Sequence, residues 1–463
     1  MDTLITGGTV VTTTEAIKAT IGIKDGRIAA ILGPDAALPT ATEVIDATGL
    51  VIMPGAIDVH THFTGSHDKP EEELIGGTLG AAIGGITTVV EMPHSGPPAT
   101  TLDAFLWKKA LLSRSSTVDF ALWGGLDGKN LGELAKMDAE GAIAFKAFLC
   151  SADPQGAATD EKGLPRLDDD GLLRAMKEIR SFDGLIGIHS ENHDILIGAG
   201  QELRKAGRHD VRAHAESGPE VAEIEAVARV ATLAGETGVR CHVVHVSSGK
   251  AAKILFEAKK NARVTLETCP HYLILDEDDL VRIGPNARCG PPLRPRPVIE
   301  ALWDGVKAGE VDMLASDHCP YMPEQKAAGA TSIWEAGMGL AGIETSVPMF
   351  MAAGLKDRGL SLVDLARMSA TAPAGVFGLS HRKGRIGIGM DADLALYDMD
   401  RPWTVEGGNF QGYAKWSAFE GMTCGVTVMR TLVRGETVHE ARKACCPRPG
   451  FGQFLRRGGF HGA

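Results

Sequence analysis

Two histidines one residue apart, His60 and His62, close the apolar run Ala56–Val59. On a β-strand, residues i and i+2 face the same way, so both imidazoles can reach one metal ion from one strand end. The pair alone is a weak sign, and other residues strengthen it. Lys146 sits inside Ala-Phe-Lys-Ala-Phe, and His189 ends Ile-Gly-Ile-His. His242 and His245 share Cys-His-Val-Val-His-Val-Ser-Ser, and Asp317 stands in Ser316-Asp-His318. Singly, each has an ordinary reading. A lysine among apolar residues commonly snorkels to the surface, and an aspartate after a strand commonly caps a helix. Jointly, five groups of potential ligands fall at or just past the ends of apolar runs.

Charge balance narrows the chemistry. Four neutral imidazoles around two divalent ions leave about four uncompensated positive charges. One aspartate and one bridging hydroxide offset about two of them. A protonated Lys146 worsens the balance. Lys146 carbamylated by carbon dioxide improves it, because the amine becomes an anion with two oxygens that can bridge two metals. Burial lowers a lysine's pKa and supplies the neutral amine that carbamylation needs.

These residues need a scaffold that brings distant strand ends together. Eight short strands are expected: Ala56–Val59, Thr87–Met92, Val118–Trp123, Ala142–Phe148, Leu185–Ile188, Arg240–Val246, Arg263–Glu267 and Val311–Ala315. Helical segments such as Gly171–Ile179, Glu220–Ala234 and Pro297–Ala308 lie between them. That alternation predicts parallel βαβ units and a TIM (β/α)8 barrel, whose chemistry sits at the C-terminal ends of its strands. Both chain ends have a different texture. Leu4–Thr6, Thr9–Thr13, Ala19–Ile23 and Ile28–Leu32 are β-like runs broken by Gly7-Gly8, Asp25-Gly26 and Gly33-Pro34. Ala392–Leu396, Val426–Met429 and Thr431–Val433 repeat that texture late in the chain. One small β-sandwich built from both ends is expected. The units are then 1–52 and 381–463 for the sandwich, with the C-terminal tail, and 53–380 for the barrel.

Composition excludes other classes. The chain has 463 residues, 44% of them hydrophobic, which supports a sizeable core. A net charge of −12 offers no electrostatic case for nucleic acid. No apolar run reaches the length of a membrane span. The first residues lack the basic region and apolar core of a signal peptide. Eight cysteines without CxxC spacing read as reduced thiols of a cytoplasmic protein. The pair Cys445-Cys446 reads as a tail feature without catalytic weight.

The ordered motifs resemble a known family. Pro54-Gly-Ala-Ile-Asp-Val-His-Thr-His62, Gly85-Ile-Thr-Thr-Val-Val-Glu-Met-Pro93, Phe145-Lys146, His189-Ser-Glu191, His245-Val-Ser-Ser248, Cys269-Pro-His-Tyr272, Pro291-Pro-Leu-Arg294 and Ser316-Asp-His-Cys-Pro320 are similar to the cyclic amidohydrolases. This is the allantoinase, dihydroorotase and hydantoinase (dihydropyrimidinase) branch of the amidohydrolase superfamily. Lys383-Gly-Arg-Ile-Gly-Ile-Gly-Met-Asp-Ala-Asp393 extends the similarity to the late β-rich segment. The resemblance implies a binuclear centre, most often zinc. In it His60, His62 and Asp317 hold the more buried ion, and His189 and His245 hold the other. Carbamylated Lys146 bridges the two, and His242 packs beside the site. The resemblance further implies ring opening by hydrolysis, with Asp317 as the proton carrier. A homodimer or homotetramer is the expected assembly.

The ring itself is harder to read. Dihydroorotases carry an arginine after His-x-His and an asparagine after Met-Pro. This chain has Phe63-Thr64-Gly65 and then His94, which disfavours dihydroorotate. Hydantoinases usually place a tyrosine shortly after the lysine, where this chain has Leu149-Cys150-Ser151-Ala152. Glu91-Met-Pro93, Trp334-Glu-Ala-Gly-Met-Gly339 and Gly450-Phe-Gly-Gln-Phe454 are allantoinase-like, whereas the loop Gly65-Ser-His-Asp-Lys-Pro-Glu71 departs from that pattern. The expectation is hydrolysis of a cyclic ureide, allantoin first, with hydantoinase- or dihydropyrimidinase-type ring opening as the alternative and a dihydroorotase or a non-catalytic scaffold ranked behind it. Ser151, Cys289 and Gly290 are the candidate substrate contacts. The backbone near Cys289-Gly290 and Gly339–Gly342 is expected to meet the ring.

Overall fold

The computed structural model describes residues 1–64, 69–94, 96–151, 164–441 and 448–458. Cys445-Cys446, Ala152 and residues 65–68 of the divergent loop lie outside the described residues. Eight parallel strands form one sheet in chain order: β1 (Ala56–Thr61), β2 (Ile86–Glu91), β3 (Asp119–Gly125), β4 (Ala144–Phe148), β5 (Leu185–His189), β6 (Arg240–Val243), β7 (Val264–Thr268) and β8 (Met313–Leu314). The barrel closes just beyond β8. His62 N donates to His318 O at 2.7 Å, and Thr61 and His318 form a parallel bridge.

All eight expected strands are present, with shifted ends. β1 and β5 run on through His60 and His189, whereas β6 stops at Val243. His245 has φ 41°, a left-handed conformation that a strand cannot continue. β8 is shorter than the expected Val311–Ala315. Asp312 uses its side chain in place of a ladder bond there, accepting from Leu266 N at 2.9 Å.

The strands are apolar on both faces, as expected where helices cover a parallel sheet. Ile57, Val59, Val90, Ala121, Trp123 and Val244 pack inside the barrel. Gly187 is required by that packing, because a Cβ there would lie 2.4 Å from the Trp123 ring. Helices start where the loops supply caps. Asn192 caps His193–Lys205 just after β5, and Ser248 caps Gly249–Ala258 just after β6.

The chain ends build two sheets on a shared core. Thr9–Val11 pairs in parallel with Val51–Pro54, which pairs antiparallel with Leu394–Asp398. Ala16–Lys18, Thr427–Val433 and Glu436–Glu440 complete this six-stranded sheet. Arg27–Leu32, Thr20–Lys24, Thr3–Thr6 and Glu43–Asp46 form the second sheet. Ile5, Ile21 and Ile45 meet Ile52, Leu394 and Leu432 between the two sheets. Lys383 ties this region to the base of the barrel. Its Nζ bonds Asp119 of β3 at 2.6 Å and Asp391 at 3.1 Å, and also reaches Asp393. Arg434 pairs with the same Asp119. Among the described residues, no helix is long and apolar enough to cross a membrane. The six described cysteines are buried, and none of them forms a disulfide.

Candidate metal centre

The C-terminal ends of the barrel strands surround one cavity of about 530 Å³, lined by His60, His62, Lys146, His189, His245 and Asp317. All six expected ligands therefore face the same space. His60 Nε2 lies 3.1 Å from His62 Nε2 and 3.1 Å from Asp317 Oδ1, and His62 Nε2 lies 3.2 Å from that oxygen. On the other side, His189 Nδ1 lies 2.9 Å from His245 Nε2.

The donor set fits metal ions. Glu267 Oε1 sits 2.5 Å from His60 Nδ1, which places the proton there and leaves a lone pair on Nε2. Glu191 Oε2 sits 2.9 Å from His189 Nε2 and likewise leaves Nδ1 bare. Burial, with neighbouring positive groups, pushes His62 and His245 well below the usual histidine range, so both are neutral. Bare nitrogens and a carboxylate oxygen thus converge with no proton between some of them. Ligand atoms about 2.0–2.1 Å from a tetrahedral ion lie about 3.3 Å apart. The observed separations are close to that spacing.

Lys146 is 1% exposed, on β4, with its Nζ 4.9 Å from the centre of the Phe148 ring. Burial pushes its ammonium down to about 8, only partly offset by Asp317 and Glu267. Two of the six candidate ligands carry backbone strain: His245 at φ 41° and Asp317 at φ 49°. Non-glycine residues are held there only when their surroundings impose it, and such residues cluster at functional sites.

Several residues that hold the site were given no role from the sequence. Glu267, fully buried on β7, bonds His60, His242 Nε2 at 3.0 Å and His245 N at 3.2 Å. Burial would raise its pKa, but His60 and His242 outweigh that and hold it well below the carboxylate range. His242 therefore packs beside the centre, as expected. Asp58 accepts from His60 N at 3.2 Å and Ser316 N at 3.1 Å, joining β1 to the segment after β8. Burial lifts Asp58 to about 6 despite those bonds. Glu91 accepts from Phe63 N, Thr64 N and the Thr61 and Thr64 hydroxyls, fixing the turn after His62. His94 also lines the cavity, its ring centroid 4.3 Å from that of His62. For Glu267 the available signal was a lone carboxylate inside the strand-like run Val264–Thr268.

The expected substrate contacts separate. Gly290 lines the cavity, and Ser151 lines an adjoining recess. Cys289 lines neither of these; its carbonyl accepts from His214 Nε2 at 2.8 Å. Gly339 N donates to Arg288 O at 3.0 Å, and Gly342 N donates to His318 Nδ1 at 3.1 Å. These two amides are committed within the protein, and of the positions expected to meet the ring Gly290 and Gly339 line the cavity. A Cβ at Gly290 would lie 3.1 Å from Met338 Cε, so glycine keeps that wall open. Lys326 Nζ donates to Arg288 O, Gly337 O and Gly339 O at 3.0, 2.8 and 2.9 Å, clamping the two loops that flank Gly290.

Residues 51–438 match the model of the amidohydrolase family. The chain belongs to that family. It is 38% identical over 441 residues to an allantoinase of Solibacter usitatus, covering 94% of this chain and 93% of that protein. It is 37% identical to an L-hydantoinase of Paenarthrobacter aurescens, covering 95% and 94%. The solved L-hydantoinase (dihydropyrimidinase) of Arthrobacter aurescens superposes with TM-score 0.93 at 35% identity, covering 98% of this chain and 100% of that one. A D-hydantoinase structure gives TM-score 0.90 at 29% identity, covering 99% of each chain.

Proposed function

We propose that this protein hydrolyses a ring amide of a cyclic ureide, with allantoin opened to allantoate as the leading substrate. The observation that carries this reading is the convergence of His60, His62, Lys146, His189, His245 and Asp317 on one cavity, in a chain 38% identical to an allantoinase. His60, His62 and Asp317 would hold one divalent ion, and His189 and His245 a second, with carbamylated Lys146 shared between them. Bound there, zinc ions would supply a water nucleophile at neutral pH and polarise the ring carbonyl.

The chain's own residues do the rest. Asp317 Oδ1, close to both His60 and His62, takes the proton of the attacking water and returns it to the leaving ring nitrogen. One C–O bond forms, one C–N bond breaks, and the product is a ureido acid. Glu267 and Glu191 hold His60 and His189 in the tautomers that leave their inward nitrogens bare. Gly290 leaves room for the planar ring.

The near-equal identity to an L-hydantoinase supports hydantoinase-type ring opening as a second reading. All six candidate ligands fall within residues 53–380, which would form the catalytic unit, carried by a sandwich of 1–52 and 381–463. A homo-oligomer in the cytoplasm is the accompanying proposal. A panel of allantoin, hydantoin, dihydrouracil and dihydroorotate, assayed with zinc-loaded protein, tests the reading. Turnover of allantoin with allantoate as product is expected. Turnover of dihydroorotate alone would overturn it. Intact-mass measurement under gentle conditions should show one added carbon dioxide, absent from Lys146→Ala.

A further inference from the structure

A narrow recess opens off the metal cavity and shares His189, Gly290 and Met338 with it. Its largely apolar lining includes three buried polar side chains, Glu191, His214 and Arg288, and the half-buried Ser151. The hydrogen bonds fix what this wall can offer. His214 Nε2 faces the Cys289 carbonyl at 2.8 Å, so its proton is on Nε2 and its Nδ1 is an acceptor. Burial and the nearby Arg288 charge push His214 down to about 3, so the ring stays neutral. That Nδ1 is buried and finds no partner among the described residues. Glu191 spends Oε2 on His189, and its Oε1 is likewise buried without a partner. Arg288 is fully buried and brings a guanidinium, one nitrogen of which donates to Ala336 O.

Two unsatisfied acceptors therefore stand beside a cation within one recess. Glu191 and Arg288 cancel in charge, so the wall suits a neutral polar group. That group needs N–H donors for His214 and Glu191, and a carbonyl oxygen gains from the nearby positive charge of Arg288 or from the Ser151 hydroxyl. An alkyl or aryl group would cover both acceptors and leave them unpaired, which is unfavourable. A ureido group, –NH–CO–NH2, carries both kinds of atom in one plane.

We infer that this recess, lined in part by Glu191, His214, Arg288 and Ser151, is a subsite for an exocyclic ureido or carbamoyl substituent on the substrate ring. The inference rests on the cyclic-ureide reading above and adds the part of the substrate that lies outside the ring. It makes His214 a specificity-determining residue that reads the substituent and not the ring.

The test compares allantoin with hydantoins bearing, at carbon 5, hydrogen or an alkyl group of ureido size. In the zinc-loaded enzyme, kcat/KM for allantoin should exceed that for the alkyl analogue at least ten-fold. His214→Phe should lower the allantoin-to-hydantoin ratio at least ten-fold, chiefly through KM, and His214→Gln should recover part of it. Calorimetric binding to Asp317→Asn, which removes turnover from the readout, should show the same preference for allantoin over the alkyl analogue. Equal handling of allantoin and the alkyl analogue would overturn the subsite while leaving the cyclic-amide reading intact. A ratio unmoved by His214→Phe would overturn the role of His214. Failure to open any ring would overturn the reading and the subsite with it.

Discussion

Asp317 combines a left-handed backbone at φ 49° with a carboxylate oxygen close to two histidine nitrogens. Replacing it by asparagine keeps the shape but removes the proton carrier. Asp317→Asn should lower kcat by about 10³-fold while retaining part of the bound metal; near-normal turnover would remove Asp317 from that role. Glu267 acts through His60. Glu267→Gln should weaken metal binding by about 10–100-fold, measured by competition with a chelator, and unchanged affinity would deny it that function. The six candidate ligands were legible in the sequence through strand periodicity and strand-end position and, for His245 over His242, through the family resemblance. His60 and His62 share a face by spacing alone, and Asp317 follows an apolar run. The role of Glu267 was not legible, because its partner His60, 207 residues away, is set by strand register, which no local pattern encodes, whereas Glu191 stands two residues from its partner within the motif His189-Ser-Glu191. Cys289 shows the converse. Its place beside Gly290 suggested substrate contact, but His214, 75 residues away in sequence, engages its carbonyl.

At the scale of elements, the eight apolar runs mark the barrel strands because parallel strands covered on both sides lack polar alternation. Their ends were less legible. β6 stops short of His245 because of that residue's backbone, and the Asp312 side chain shortens β8. Val426–Met429 and Thr431–Val433 form one strand, Thr427–Val433, rather than two. Arg430 interrupts the apolar pattern but pairs with Glu440 on the neighbouring strand at 3.0 Å, so the ladder continues through it. The loop clamp is a second feature that only the folded chain reveals. Lys326 is fully buried and serves three carbonyls from two loops. Lys326→Met should destabilise the fold by about 3 kcal/mol, read from a denaturant midpoint, and should raise KM by loosening the Gly290 wall. A stable variant with wild-type KM would show that the clamp is dispensable.

For the molecule as a whole, the interface between barrel and C-terminal segment contains a pH-sensitive group. Glu344 is 6% exposed and accepts from Gln411 N at 2.5 Å. Burial lifts its pKa to about 7, against an ordinary value of 4.5. Its folded-state pKa is raised, so the folded protein binds more protons than the unfolded chain between those values. Stability from this group is present below about pH 4.5 and is lost as pH rises through 7. Glu344→Gln should therefore gain melting temperature relative to wild type between pH 5 and pH 8. A constant difference across that range would contradict the assignment.

The measurement that bears most directly on the metal centre is a zinc titration of metal-depleted protein in bicarbonate buffer, following allantoin hydrolysis and bound metal together. Activity should return with added zinc and level off at two ions per chain, and Lys146→Ala should fail to reach that plateau. Full activity at one ion per chain, or activity independent of metal, would contradict the binuclear account.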